Sequence, residues 1–260
     1  MKKVSVIMPY YKKSSFFDKA YQSVLNQNYS NIEIIIIYDD HDLTELSFVK
    51  ETINNRKNTI LIINKKNYGV GFSRNIGINR SKGFYIAFLD CDDVWKKNKL
   101  RNQVDVMDEM KLDFSFTSYA VINESDDFLY NVPAKNFLTH ADLLKSCDVG
   151  LSTVMIKRQI LKKFQFSSMK TKEDYLLWLQ ISKNNISIYG IKKHLSLWRK
   201  CNNSLSSNIF QKIKDAFNIY YIHEKQGFIR ALLSIIVLSF FADRKSTRLN
   251  SSHVSESRMP

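Results

Sequence analysis

A chain of 260 residues with 44% hydrophobic and 25% charged residues can bury a full core, which excludes a disordered or fibrous protein. Its net charge of +14 admits nucleic acid, an anionic membrane surface or an anionic small substrate as partner; the lysines are scattered, without the basic and aromatic interleaving of single-strand binders, so no nucleic acid is expected. Three cysteines, Cys91, Cys147 and Cys201, far apart and odd in number, fit neither a disulfide framework nor a metal-type spacing.

Val4 to Met8 reads as a first strand, stopping at Pro9, Tyr10 and Tyr11. It begins so early that no leader is expected, and a reducing, cytoplasmic setting is expected with it. Phe16 to Gln27 carries Phe17, Ala20, Tyr21, Val24 and Leu25 near a helical period. Ile34 to Tyr38 is apolar without alternation, as in a strand covered on both faces, and ends in Asp39, Asp40, His41 and Asp42. Leu46 to Ile53 reads as a helix, Thr59 to Ile63 as a strand, and Gly71 to Arg80 as a helix with Gly77 at a close approach. Phe84 to Leu89 is the next strand; it ends in Asp90, Cys91, Asp92 and Asp93, and a helix is expected over Val94 to Val104.

Alternating strands and helices predict a doubly wound α/β domain whose strands deliver their polar ends to one edge. Ligands of open α/β sheets bind at that edge. Three carboxylates within four residues repel one another, and the usual compensation is a hard divalent cation. Further on, Phe228 to Ala242 holds one charge, Arg230, in fifteen residues, short of the roughly 20 needed to span a bilayer. It reads either as a helix packed on the domain or as an interfacial or partner-binding helix aided by the basic surface, and so many aliphatics near the chain's end favour membrane association. Asp243 to Pro260 is Ser- and Arg-rich and aperiodic. It reads as disordered, resembles translated adapter or vector sequence, and is set aside; without its four basic and two acidic residues an excess of twelve positive charges remains.

The ordered motifs resemble family 2 of the glycosyltransferases, inverting sugar transferases with the GT-A fold. They are Val4 to Tyr11; Ser23 to Glu33; Asp39-Asp40; Asn67 to Gly69 leading to Ser73, Arg74, Asn75 and Gly77; Leu89 to Trp95; and Lys99-Leu100. Gly150 to Lys157 resembles the family's acceptor-side strand. Lys172 to Trp178 resembles its Glu-Asp motif, and Trp198-Arg199 through Asn203, Ser204 and Ser206 resembles its Arg-to-Ser motif. The resemblance implies a Rossmann-like mixed sheet flanked by helices with a C-terminal helical extension. The catalytic domain would span 1–210, with a nucleotide-sugar half over 1–100 and an acceptor half over 101–210. Helices over 211–242 and the tail 243–260 would follow. His41-Asp42 departs from the small residues that usually follow Asp39-Asp40.

The same resemblance implies residue roles. Asp92 would ligate Mn²⁺ or Mg²⁺, and Asp90 would contact ribose or the metal's shell. Asp93 would either orient its neighbours or cap the following helix. Asp40 would bond the base, and Asp39 either joins it or holds the loop. Pro9 and Tyr11 would lie against base and ribose, and Arg74 would face base or phosphates. Arg199 would reach the diphosphate from a flexible loop. Asp174 would be the general base, although Glu173-Asp174 also suits a helix N-terminus. Trp178 and Trp198 either stack on sugar or pack in the core.

The function so implied is metal-dependent inverting transfer from a UDP-hexose or UDP-N-acetylhexosamine to a hydroxyl of a growing bacterial surface glycan, of capsule, O-antigen or lipooligosaccharide type. The acceptor would be a glycan or lipid-linked glycan, with the enzyme peripheral at the inner face of the cell membrane. Two alternatives are a nucleotidyltransferase and a non-catalytic sugar-nucleotide-binding protein. The first lacks its Gly-rich phosphate loop, since Pro9 to Ser14 holds no glycine; the second predicts loss of Asp90, Asp92 or Asp174, all of which are present.

Overall fold

The structure, a computed structural model, describes residues 1–201 and 208–241. Ten strands form one sheet: β1 (Val4–Tyr10), β2 (Ile32–Tyr38), β3 (Thr59–Ile63), β4 (Tyr85–Phe88), β5 (Val94–Trp95), β6 (Phe114–Ile122), β7 (Phe128–Val132), β8 (Phe137–Leu138), β9 (Met155–Lys157) and β10 (Ile188–Arg199). Its order is β3-β2-β1-β4-β9-β6-β10-β5, with β7 beside β6 and β8 beside β10. The first four strands are parallel, β9 runs antiparallel to both β4 and β6, and β10 returns parallel to β6. The helices are α1 (Ser14–Leu25), α2 (Leu43–Ile53), α3 (Val70–Arg80), α4 (Lys99–Glu109), α5 (His140–Leu143), α6 (Arg158–Leu161), α7 (Glu173–Lys183), α8 (Ile209–Asn218) and α9 (residues 228–241). This is the expected mixed α/β sheet between helical layers.

The isoleucine run of β2 shows why. Ile34 and Ile36 enter one core with Phe17, Tyr21 and Val24 of α1 and Val49 of α2. Ile35 and Ile37 enter the other, with Ile78 of α3 and Trp178 of α7. A strand apolar on both faces is stable only when covered on both. Gly77 permits the closest approach of α3 to the sheet: a Cβ there would stand 2.6 Å from Ile7 Cγ2 and 3.0 Å from Ile37 Cδ1. Gly77→Ala is therefore expected to destabilise the protein by about 1–3 kcal/mol through overpacking. Thermal denaturation checks this, with Gly227→Ala, where a Cβ meets nothing within 4 Å, left unchanged.

Two local expectations are corrected. Val94 to Val104 is not one helix: Val94 and Trp95 pair with Leu197 and Ser196 of β10, and α4 starts only at Lys99. A long-range strand pairing there overrides local periodicity. The segment Gly150 to Lys157 is a strand only from Met155; Leu151–Thr153 is a 3₁₀ turn. His41-Asp42, the departure after Asp39-Asp40, ends in a helix cap, because the Asp42 carboxylate accepts from Thr44 N at 2.8 Å and Glu45 N at 3.3 Å.

The C-terminal helices pack on α7. Ala216, Ile219 and Tyr220 share a core with Tyr175, and the two tyrosine hydroxyls meet at 3.0 Å. Of the reading over Phe228 to Ala242, residues 228–241 are one helix. Ala242, the 243–260 tail, and Asn203, Ser204 and Ser206 of the Arg-to-Ser motif lie outside the described residues. No helix among the described residues is long and apolar enough to cross a membrane.

Candidate active site

The C-terminal ends of β2, β1 and β4 are neighbours in the sheet, so Asp39-Asp40, Pro9 to Tyr11 and Asp90 to Asp93 converge on one edge. Asp39 is buried and its carboxylate is fully engaged. Oδ1 accepts from Asn64 Nδ2 at 2.7 Å and Tyr68 N at 2.8 Å, and Oδ2 from Gly69 N at 2.9 Å. Of its two open roles, this geometry performs the loop-holding one. It fixes the turn before α3, where Gly69 takes φ +89°. Asp40 differs. Its Oδ1 accepts from His41 N at 2.7 Å, while its buried Oδ2 has no partner among the described residues. A buried acceptor without a donor is costly unless a ligand supplies one. Pro9 and Tyr11 flank the edge at intermediate burial, and the Pro9 carbonyl accepts from Cys91 Sγ at 3.2 Å.

The acid loop after β4 sorts its three carboxylates by depth. Asp93 is buried and its Oδ1 accepts from Arg199 N at 2.8 Å. Burial, then repulsion from Asp92 and Asp90, pushes its pKa well up. It does not cap α4, whose N-cap position is Asn98. Asp92 and Asp90 are more open, with side chains 18% and 33% exposed. Asp92 Oδ2 pairs with Lys13 Nζ at 2.6 Å, and Asp90 Oδ1 with Arg74 Nη2 at 2.8 Å. Burial opposes the Lys13 charge, but Asp92 outweighs it and the ammonium's pKa is raised.

Arg199 is not on a flexible loop. It ends β10, is buried, and donates from Nε to Asp92 O at 2.8 Å, from Nη1 to Asn123 O at 2.8 Å and from Nη2 to Asp126 Oδ1 at 2.6 Å. Its guanidinium thereby clamps the acid loop to the β6–β7 turn. Trp178 is fully buried and packs edge-on against Phe114 and Phe166, whereas Trp198 is 41% exposed.

Arg74 is a buried bridge rather than a surface charge. Besides Asp90 it donates from Nη1 to Glu173 Oε1 at 2.5 Å, and its Nε is buried without a partner among the described residues. Burial opposes its charge, but Asp90 and Glu173 outweigh burial and hold it protonated. Glu173 opens α7. Burial, against the pull of Arg74, lifts its pKa to about 7. Its neighbour Asp174 is half-buried and accepts from Tyr175 N at 2.7 Å. Burial raises the Asp174 pKa too, with Arg74 opposing and Asp90 assisting. The acid loop and the start of α7 are thus one electrostatic unit.

A divalent cation fits this donor set. Asp90 Oδ2 and Asp92 Oδ1 accept no hydrogen bond among the described residues and belong to the accessible pair of carboxylates. Hard cations take such oxygens. No group of three or more His, Cys, Asp or Glu is arranged to hold a metal among the described residues.

Sequence reading missed Lys13, Asn64 and Ser152. Lys13 and Asn64 sit just beyond the ends of β1 and β3, where the fold places ligand edges, so position alone marked them. Ser152 Oγ accepts from Asp90 N at 3.1 Å, and its carbonyl accepts from Trp95 Nε1 at 2.7 Å; nothing in the local pattern signals a contact between residues so far apart.

A model of glycosyl transferase family 2 matches residues 5–165. The chain is 33% identical over 234 residues to the putative teichuronic acid biosynthesis glycosyltransferase TuaG of Bacillus subtilis, covering 88% of this chain and 91% of that protein. It is 34% identical over 238 residues to WfgD of Escherichia coli, a UDP-Glc:alpha-D-GlcNAc-diphosphoundecaprenol beta-1,3-glucosyltransferase, covering 90% and 92%. Among solved structures, Staphylococcus aureus TarS residues 1–349 with UDP superpose at TM-score 0.68 and 18% identity, over 93% of this chain and 71% of that one. A Pyrobaculum calidifontis mannosyltransferase with GDP-Man and Mn²⁺ superposes at 0.67 and 12% identity, over 88% and 68%. At these identities the structural likenesses show the fold alone.

Proposed function

From the premise that this chain belongs to glycosyl transferase family 2 and is a glycosyltransferase, we propose that it moves a hexose or N-acetylhexosamine from a UDP-sugar to a hydroxyl of a growing bacterial surface glycan. The reaction inverts the anomeric centre and depends on Mn²⁺ or Mg²⁺. The acceptor is a lipid-linked glycan, and the enzyme works peripherally at the inner face of the cell membrane. One observation carries this reading: Arg74 ties Asp90 of the acid loop to Glu173, so the carboxylates suited to a metal-bound diphosphate lie in one unit with Asp174.

In this reading Asp40 Oδ2 takes an N–H of the base, which its missing partner supports. Pro9 and Tyr11 flank base and ribose, and Asp90 and Asp92 hold the metal. The metal supplies Lewis-acid neutralisation of the charge that forms on the leaving diphosphate. Lys13, already beside Asp92, adds a second positive charge there. Arg74 and Arg199 position the acid loop rather than touch the donor. Asp174 accepts the proton of the acceptor hydroxyl as its oxygen attacks the anomeric carbon. The bond from that carbon to the phosphate oxygen breaks on the opposite face, which inverts the centre.

Mn²⁺-dependent UDP binding, measured calorimetrically, tests the donor side. Asp92→Ala is expected to lower UDP affinity at least about tenfold with metal and to have little effect in EDTA. No UDP binding by the folded wild-type protein would overturn the reading.

A further inference from the structure

The C-terminal layer, residues 208–241, is built inside out for a surface element. An ordinary surface helix turns its apolar stripe inward and its polar face to water. On α9, Ala231 and Leu238 are buried and Ile235 partly so, which fixes the inward face. The opposite face carries Ile229, Leu233, Ile236 and Phe240, exposed by 74%, 57%, 64% and 54%. It joins α8 through an aromatic seam: Phe228 meets Phe217 at 5.6 Å and Tyr221 at 6.4 Å. Beyond the seam Phe210 and Ile213 are exposed as well. Large exposed apolar runs of this kind mark interaction surfaces.

The charges of this layer point to what covers it. Its two carboxylates are turned inward as anchors. Asp215 accepts from Thr171 N and Oγ1, just ahead of Glu173, and Glu224 pairs with His140 and Lys183. Of its cations, Lys214, Lys225 and Arg230 are exposed and Lys212 is half-buried, and none of the four has a salt-bridge partner among the described residues. The outer surface is therefore apolar and purely cationic. A second copy would set like charge against like charge on a chain of net +14. An anionic bilayer offers hydrocarbon to the apolar face and phosphate headgroups to the cations.

We propose that the face formed by α8 and α9 is a docking surface for an anionic lipid bilayer, seating the acceptor side of the active site against the membrane. The inference deepens the reading of a lipid-linked acceptor and rests on it. The layer packs on α7, the helix that opens with Glu173 and Asp174, so docking here sets the height of Asp174 above the lipid surface.

Co-sedimentation of the full chain with phosphatidylglycerol-containing vesicles, and with pure phosphatidylcholine vesicles, tests it, with UDP binding measured in the same samples. The wild type is expected to partition onto anionic vesicles at low salt and much less onto neutral ones. Ile229→Asp with Ile236→Asp is expected to reduce partitioning at least about tenfold. Lys214→Glu with Lys225→Glu is expected to reduce it by roughly fivefold or more per charge at low salt. All variants should keep their circular dichroism and UDP affinity, since these side chains are exposed and outside the nucleotide edge. Wild-type protein that binds UDP but ignores anionic vesicles would overturn the proposal. So would a stable dimer in solution that the Ile229→Asp, Ile236→Asp pair dissociates, because a second copy would then be the cover. Vesicle binding without UDP binding would support the surface and strike the donor reading instead.

Discussion

Asp174→Asn is expected to lower sugar transfer by about 10²–10⁴-fold while UDP affinity stays within about twofold of wild type. The substitution keeps shape and the hydrogen bond from Tyr175 N but removes the proton acceptor. A group that only held the start of α7 together would instead lose stability and donor binding along with rate. The pH dependence separates the two roles further. Burial raises the Asp174 pKa, and burial lifts that of Glu173 to about 7. A general base works only when ionised. The wild-type kcat/KM should therefore climb with pH through a range above that of an ordinary carboxyl group and then level off. Asp174→Asn should abolish that climb along with the rate. Initial rates across pH 5–9, with acceptor supplied, check this; a wild-type rate that falls as pH rises through this range would refute the assignment of the base.

The parts of this site that sequence made legible share a physical property: each lies at a strand end or helix start, where local pattern fixes position. Ile34 to Tyr38 is apolar on both faces, so it had to be an inner strand, and the inner position puts Asp39-Asp40 on the ligand edge. The same logic placed Asp90 to Asp93. What stayed hidden depends on partners distant in sequence. Arg74 and Glu173 are 99 residues apart, and Arg199 and Asp92 are 107 apart. Helical spacing describes Arg74 as an ordinary position on α3; only the docking of α7 against α3 makes it a bridge. Val94 and Trp95 show the same limit, since only β10 makes them a strand. The apolar character of Phe228 to Phe241 was plain, but which side faces the domain followed from Ala231 and Leu238 meeting the core.

Arg74→Met is expected to destabilise the protein by about 3–5 kcal/mol at pH 8, the cost of leaving a buried charge unpaired. Glu173 carries most of this, because its side chain is 9% exposed, whereas Asp90 at 33% is partly served by water. Methionine retains the stem against Phe166, whose ring lies 5.3 Å from the guanidinium carbon, so the change is mainly electrostatic. The sign of the pH effect follows from Glu173. Its folded pKa is already raised to about 7, above the ordinary carboxyl value, by burial against the opposing pull of Arg74. Losing Arg74 raises it further. A carboxyl whose folded pKa exceeds its unfolded one favours folding while protonated, and that advantage is lost as pH rises through the folded pKa. The deficit of Arg74→Met should therefore be smaller at pH 6 than at pH 8, whereas breaking an ordinary exposed salt bridge, whose carboxylate is ionised at both, would cost the same at the two values. Glu173→Gln added to Arg74→Met should recover much of the loss at pH 8, since a neutral amide no longer needs a cation. Urea denaturation of the two single variants and the double variant at both pH values completes the cycle. A deficit independent of pH and unrelieved by Glu173→Gln would mean that Arg74 contributes through packing, and the electrostatic link between the acid loop and the start of α7 would fall with it.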